Sequence, residues 1–147
     1  MPVWIFTHSK DAFTPDEKAS LASEVTQIYT RLGLPAFYVN VQFIEMPVHD
    51  FYIAGVRRSK FTLITIYHVA RRFENESVKV RFLGKVDSIL NPKLGAKGMD
   101  WEYFIQESPR EFWKINGIIP PPTGSDMEKV WFRENKPVVA GKIKALL

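Results

Sequence analysis

A strand–helix–strand pattern occurs twice along this chain, and that repetition limits the available folds more than any other feature. Residues 3–7 are almost wholly apolar and read as a short strand. Thr14 then precedes Pro15, Asp16 and Glu17. This order supplies a capping hydroxyl, a proline at the first helical position and a carboxylate three residues after the cap. The helix begun there places Leu21, Val25, Ile28 and Leu32 on one face and ends at Gly33. Residues 38–46, rich in β-branched and aromatic side chains, read as a second strand. The order then recurs. Residues 61–69 form a third strand, and residues 75–91 an amphipathic helix with Phe82, Val86 and Ile89 beside Leu83 and Leu90. Pro92, Gly95 and Gly98 are its breakers, and residues 101–106 are the fourth strand. The expected fold class is α/β (α+β), with one βαβ unit over about 2–46, a linker over 47–60 and a second unit over about 61–107.

Element order leaves two arrangements open. One is the ferredoxin-like split βαβ, and the other is two true parallel βαβ units packed antiparallel. In both, a four-stranded sheet carries its two helices on one face. The strands are apolar on both alternations, with Val39, Val41 and Phe43 on one side and Tyr38, Ile44 and Met46 on the other. In the third strand Leu63, Tyr67 and Val69 oppose Ile64 and Ile66. A second apolar face predicts oligomerisation through the sheets. The extension over 108–147 begins with Ser108–Pro109 capping a short helix through about Lys114. Pro120–Pro122 then form a stiff connection, and residues 127–135 a further helical turn or two. The last dozen residues, with Val138, Val139, Ile143, Leu146 and Leu147, read as an arm that packs on a neighbouring subunit.

With 147 residues, 46% of them apolar or aromatic, the chain can form one domain with its own core. It has no run of about 18 apolar residues, so no membrane span is expected. Its opening has neither a basic leader nor a small-residue cleavage site, so it does not read as a secretory signal. The absence of cysteine excludes disulfides, thiolate zinc sites and cysteine nucleophiles, and suits a cytoplasmic setting. His8, His49 and His68 lack metal-ligand spacing, so neither a metal nor a cofactor is expected. The net charge of +4 is spread along the chain. Its densest basic cluster, Arg57, Arg58 and Lys60, reads as a solvated turn, too short for a nucleic-acid surface. A basic balance also suits a small anionic substrate.

Pro2 is the chemically informative residue. Removal of Met1 would expose a secondary amine unlike any side chain. Buried at the start of a strand and close to cations, that amine would be neutral near pH 7 and able to act as a base. The same proline is also explained by structure, because a strand's first residue needs no ladder donor.

Met1-Pro-Val-Trp-Ile-Phe, Phe13-Thr-Pro-Asp-Glu-Lys, Leu34-Pro-Ala-Phe-Tyr-Val-Asn-Val-Gln-Phe-Ile-Glu, Asp100-Trp-Glu-Tyr and Pro109-Arg-Glu-Phe-Trp-Lys-Ile-Asn-Gly-Ile-Ile-Pro-Pro-Pro together resemble the tautomerase superfamily. The resemblance runs from Pro2 to about Pro137. It is to the fungal branch of proteins similar to cis-3-chloroacrylic acid dehalogenase and 4-oxalocrotonate tautomerase. It implies two βαβ units related by a pseudo-twofold and assembled as a homotrimer whose sheets face the centre. It also implies a small carboxylate substrate, with Pro2 as the catalytic amine and Arg71 as its carboxylate anchor. If the first and third strands are antiparallel neighbours, Pro2, His68 and Arg71 meet at one end of the sheet. A guanidinium there can hold a carboxylate and lower the proline's pKa.

By the same resemblance Tyr103 would serve near the reacting oxygen; by its own chemistry Asn116 could orient a carbonyl or water there, and Arg72 could serve as a second carboxylate contact. Tyr29 stands where the dehalogenase has a substrate-binding histidine, and Phe73-Glu74-Asn75 where its second arginine lies. Lys114-Ile115-Asn116 replaces its water-activating glutamate, leaving Glu111 as the nearest acid. The resemblance therefore implies proton transfer on an α-keto, enol or unsaturated carboxylate. Water addition to 3-haloacrylates is the second reading, and a non-catalytic trimeric binding module the third. Trp4, Phe37 and Trp113 are candidate walls of an apolar pocket.

Overall fold

The computed structural model describes residues 1–139. Its main elements are β1 (Val3–Ser9), α1 (Pro15–Thr30), β2 (Asn40–Met46), β3 (Tyr52–Ile53), β4 (Val56–Arg57), β5 (Phe61–His68), α2 (Glu76–Gly95), β6 (Asp100–Glu107) and α3 (Asp126–Glu134). The large sheet has the order β2-β1-β5-β6. β1 runs parallel to β2, β5 parallel to β6, and the two central strands are antiparallel. Sequential strands of each unit are therefore direct neighbours, which rules out the split arrangement and leaves two true βαβ units packed antiparallel.

Alternation along the strands sets the layers. Trp4, Phe6, His8, Ile64, Ile66 and His68 are buried on the face that α1 and α2 cover. The opposite face carries half-buried Val3, Ile5 and Leu63, with Ile44, Tyr67 and Phe104 exposed. On the outer strands that face also bears Asn40, Gln42, Glu102 and Gln106. Its apolar character is thus concentrated on the two central strands.

Local chemistry accounts for the helix starts. Thr14 and Glu17 close a reciprocal capping box, with Thr14 N–H donating to Glu17 Oε2 (2.8 Å) and Glu17 N–H to Thr14 Oγ1 (3.2 Å). Asn75 caps α2 through Val78 N–H (3.1 Å), and Ser125 caps α3 through Glu128 N–H (3.2 Å).

Several expectations are corrected in detail. The buried face of α1 is Leu21, Val25 and Tyr29, an i, i+4, i+8 stripe. Ile28, beside that stripe, is only half-buried, and Leu32 is 56% exposed because α1 ends at Thr30 and leaves it in the following turn. α2 continues through Pro92 to Gly95. Pro92 and Ser88, whose carbonyl loses its helical partner, are both exposed, so water can satisfy it. Tyr38 belongs to a 3₁₀ turn over Ala36–Tyr38 that follows Pro35, and β2 begins only at Asn40. The linker contains the β3–β4 hairpin, turned by Ala54 and Gly55, both at positive φ. The short helix after Ser108 is a single 3₁₀ turn over Arg110–Phe112. Of the C-terminal arm, residues 140–147 lie outside the described residues. At its beginning Val138 is buried in its own chain, its carbonyl accepting from Trp131 Nε1 (2.8 Å).

One hydrogen bond in the core is diagnostic. Trp4 Nε1 donates to the Tyr29 hydroxyl (2.9 Å), and both residues are completely buried. Tyr29→Phe strands the indole N–H in an apolar interior, so it should lower the unfolding free energy by roughly 1–3 kcal/mol in urea titrations. A substitution that leaves stability unchanged would show that this bond contributes nothing.

Candidate active site

Because β1 and β5 are antiparallel, the start of one strand lies against the end of the other. Val3 pairs with Tyr67, which sets buried Pro2 level with His68, and Arg71 follows just beyond β5. On the other side of β5, His68 pairs with Glu107 at the end of β6. Register alone thus gathers Pro2, His68, Arg71 and a carboxylate at one end of the sheet.

The C-terminal segment closes that end. Ser108 N–H donates to the His68 carbonyl (2.9 Å). Arg110 donates to the carbonyls of Ala70 (3.2 Å), Pro120 (3.4 Å) and Pro121, and its guanidinium lies 5.4 Å over the Trp113 ring. Trp113 packs edge-on against Tyr38, with ring centroids 4.8 Å apart. Arg71 Nη1 donates to the Ala70 carbonyl (3.0 Å), Thr123 Oγ1 (3.1 Å) and Glu128 Oε1 (3.0 Å), and Nη2 to Glu128 Oε2 (3.1 Å). Glu128, buried on α3, also accepts from Gly124 N–H (2.7 Å). The Arg71–Glu128 pair is therefore bidentate, with its carboxylate buried and its guanidinium one-fifth exposed, a geometry in which such pairs are strong.

The electrostatics follow from burial. Burial, with the Arg110 guanidinium in support, pushes the Met1 α-amine from about 8 down to about 4. Burial also drives His68 down to about 4; Glu107 opposes the shift, and the Met1 amine and Arg71 reinforce it. An amine and an imidazole here are both neutral near pH 7. Burial, then Glu128, raises the Tyr38 hydroxyl far above its ordinary value, against Arg110 and Arg71. The Tyr38 hydroxyl, Trp113 Nε1 and His68 Nδ1 are buried without a hydrogen-bond partner among the described residues. Such groups normally find one. Neutral bases, unmatched donors and two guanidinia suit an oxygen-rich anion.

The other expected site residues stand elsewhere. Arg72 is exposed and, among the described residues, pairs only with Glu111, at 4.0 Å. Tyr29 lies in the core with its hydroxyl on Trp4. Tyr103 pairs with Ile64 in the sheet, four residues short of the His68 level, or about 13 Å along a strand. Its hydroxyl donates to Asp87 on α2 (2.9 Å), and burial and Asp87 push it up to about 12. Asn116 and Gly117, at φ 50° and 77°, form the tip of a two-residue turn closed by reciprocal Ile115–Ile118 bonds (2.9 Å each). An Asn-Gly pair between apolar residues is the sequence signal for that turn. Trp4 is a core residue, Trp113 belongs to the closed end, and Phe37 lies against Trp131 at 5.8 Å. Among the described residues no three histidines or carboxylates converge as a metal site.

Sequence reading missed Glu107, Arg110, Tyr38 and Glu128. Glu107 was recoverable from the parallel register that pairs it with His68. Nothing local signals that Glu128, on a separate helix, returns to Arg71.

Comparison with known proteins bears on the chain as a whole. A family described as a putative oxalocrotonate tautomerase enzyme matches residues 1–136. A solved structure of a probable enzyme from Aspergillus fumigatus is 49% identical, covering 95% of this chain and 97% of its own, with a TM-score of 0.92. Native RhCC from Rhodococcus jostii RHA1 is 38% identical over 93% of this chain and 99% of its own, with a TM-score of 0.90. N1, a member of the cis-3-chloroacrylic acid dehalogenase family, shares the fold at 17% identity and a TM-score of 0.72, over 98% of this chain and 96% of its own. No match is found among curated proteins.

Two measurements test the energetics of this end. Glu128→Gln leaves Arg71 charged and uncompensated, and should cost on the order of 3 kcal/mol in denaturant titrations. For His68, the folded pKa lies below the unfolded value of 6.5, so its contribution is complete above that value and is lost as pH falls toward 4. Between pH 7.5 and 5 the wild type should lose about 2 kcal/mol through this residue. His68→Phe should remove that part of the slope, and an unchanged slope would contradict the assignment.

Proposed function

We propose that this chain, which belongs to the tautomerase superfamily, moves protons between carbon and oxygen on a small α-keto, enol or unsaturated carboxylate, using the Pro2 amine once Met1 is removed. The observation that carries the reading is electrostatic. An amine at this end of the sheet is held neutral by burial and by Arg110, and a general base must be neutral to accept a proton. Pro2 is buried one residue further into the same end.

In this mechanism the Pro2 nitrogen takes the proton of the enol hydroxyl, leaving an enolate. It then delivers that same proton to carbon as the enolate π electrons close on it, so the amine is regenerated and the net change is isomerisation. Burial, with Arg110 in support, keeps the amine unprotonated between turnovers. Of the five N–H donors of Arg71, the Nε–H and one Nη2–H remain beyond the contacts described above, and these receive the substrate carboxylate. The unmatched Tyr38 hydroxyl and Trp113 N–H are donors for the enolate oxygen. Tyr103 and Asn116 are placed away from this role within one protomer. The apolar centre of the open sheet face supports a homotrimer assembled through the sheets; a fused 4-OT neighbour of the same fold, at 18% identity, is a symmetric trimer.

Glu107 favours a second reading, addition of water to an unsaturated acid. It is a carboxylate beside His68, although one of its oxygens already accepts from Phe73 N–H (2.8 Å).

Intact mass and kinetics separate the readings. With Met1 absent, the protein should isomerise phenylpyruvate or a 2-hydroxymuconate-type dienol, and Pro2→Ala should lower kcat/KM at least 100-fold. The rate should be flat above the amine's pKa and fall as pH drops through it, with the acid limb below pH 7. Equal rates for wild type and Pro2→Ala would sink the mechanism. Retention of Met1 would leave a binding role. Halide release from 3-haloacrylates that is lost in Glu107→Gln would favour the second reading.

A further inference from the structure

Beside the sheet end, α1 and α2 diverge and leave a cleft of about 410 Å³, within the range of small-molecule sites. Each helix gives it one stripe. From the end of α1 and the turn that follows it come Ile28, Arg31 and Leu32, and from α2 come Arg81, Phe82, Lys85 and Ile89. Phe73 adds to the apolar floor, and His68 and Arg71 form the inner wall toward Pro2. Ile28 and Leu32 carry helical spacing that sequence alone assigns to the core, yet they line this space.

The charge of the lining is one-sided. Five cations, Arg31, Arg71, Arg72, Arg81 and Lys85, face a single acid, Glu24. That acid is already held by Lys93 Nζ (2.8 Å) and Ser20 Oγ (3.0 Å). Arg71 is matched by Glu128, and Arg72 only loosely by Glu111. Among the described residues, Arg31, Arg81 and Lys85 have no carboxylate within 4.0 Å. Arg81 and Lys85 are one helical turn apart on α2, so an anion between them meets both. An apolar floor under an unneutralised cationic rim is complementary to one kind of small molecule.

We propose that this cleft binds an amphipathic monoanion of the medium-chain carboxylate class. The head lies at Arg81 and Lys85, and the chain lies over Ile28, Leu32, Phe73 and Phe82. The site does not depend on Pro2 chemistry. Its inner wall, His68 and Arg71, is shared with the proposed active site, so an occupant sits directly behind that machinery.

Calorimetry with decanoate below its micellar concentration tests this, beside butyrate and the uncharged amphiphile octyl glucoside. Decanoate should bind saturably, and the other two at least tenfold more weakly. Arg81→Glu combined with Lys85→Glu should weaken decanoate at least tenfold, with the unfolding midpoint close to wild type because both side chains are exposed. If that protein does not fold, Arg31→Glu with Leu32→Gln on the opposite wall should give the same loss. Pro2→Ala should bind decanoate as wild type does, which separates this site from the proton-transfer mechanism. Absence of decanoate binding, equal binding of octyl glucoside, or affinity unmoved by the substitutions would overturn the proposal.

Discussion

The antiparallel pairing of β1 with β5 is the constraint on which the rest of this molecule depends. It joins two βαβ units that would otherwise be separate, and it fixes which strand ends share a neighbourhood. Register transmits that choice outward, from β1 to β2 and from β5 to β6, so His68 and Glu107 come level with Pro2. A one-residue slip would turn Trp4, Phe6, Ile64 and Ile66 away from the helices. The apolar pattern that builds the core therefore also holds the chemical groups in place.

A bare sheet end would be wet, and the groups there would titrate normally. The segment after β6 changes this by folding back across it. Arg110 spans from the Ala70 carbonyl to the proline run, Trp113 covers Tyr38, and Glu128 reaches Arg71 from α3. Each contact removes water, and the loss of water depresses the amine and imidazole pKa values more than any single charge does. Closure and chemical tuning are one physical event here.

The architecture was legible because hydrophobic periodicity, Thr14–Glu17 capping and glycine punctuation agree with one another. Pro2, His68 and Arg71 were legible too, because strand ends and pairing direction suffice to place them. Other features were set by contacts distant in sequence. Tyr29 on α1 is buried with its hydroxyl on Trp4 of another element, and α1 ends before Leu32. Tyr103 and Asn116 fit a motif by position, yet one is tethered to Asp87 and the other serves a turn at positive φ. Glu128 was invisible because nothing near it in sequence records that its helix returns to the sheet.

Arg71 shows what the return of α3 means for recognition. Its positive charge is already balanced by Glu128, so a carboxylate approaching it meets oriented N–H groups more than a net field. Long-range attraction at this end of the sheet is then shared by Arg110, whose hydrogen-bond acceptors among the described residues are uncharged carbonyls, and by the unpaired cations of the neighbouring cleft. The two arginines thus divide the labour. On the proposed function one would supply the pull that gathers anions, and the other directional bonds that discriminate among them, with an outcome that ionic strength alters little once the ligand is seated.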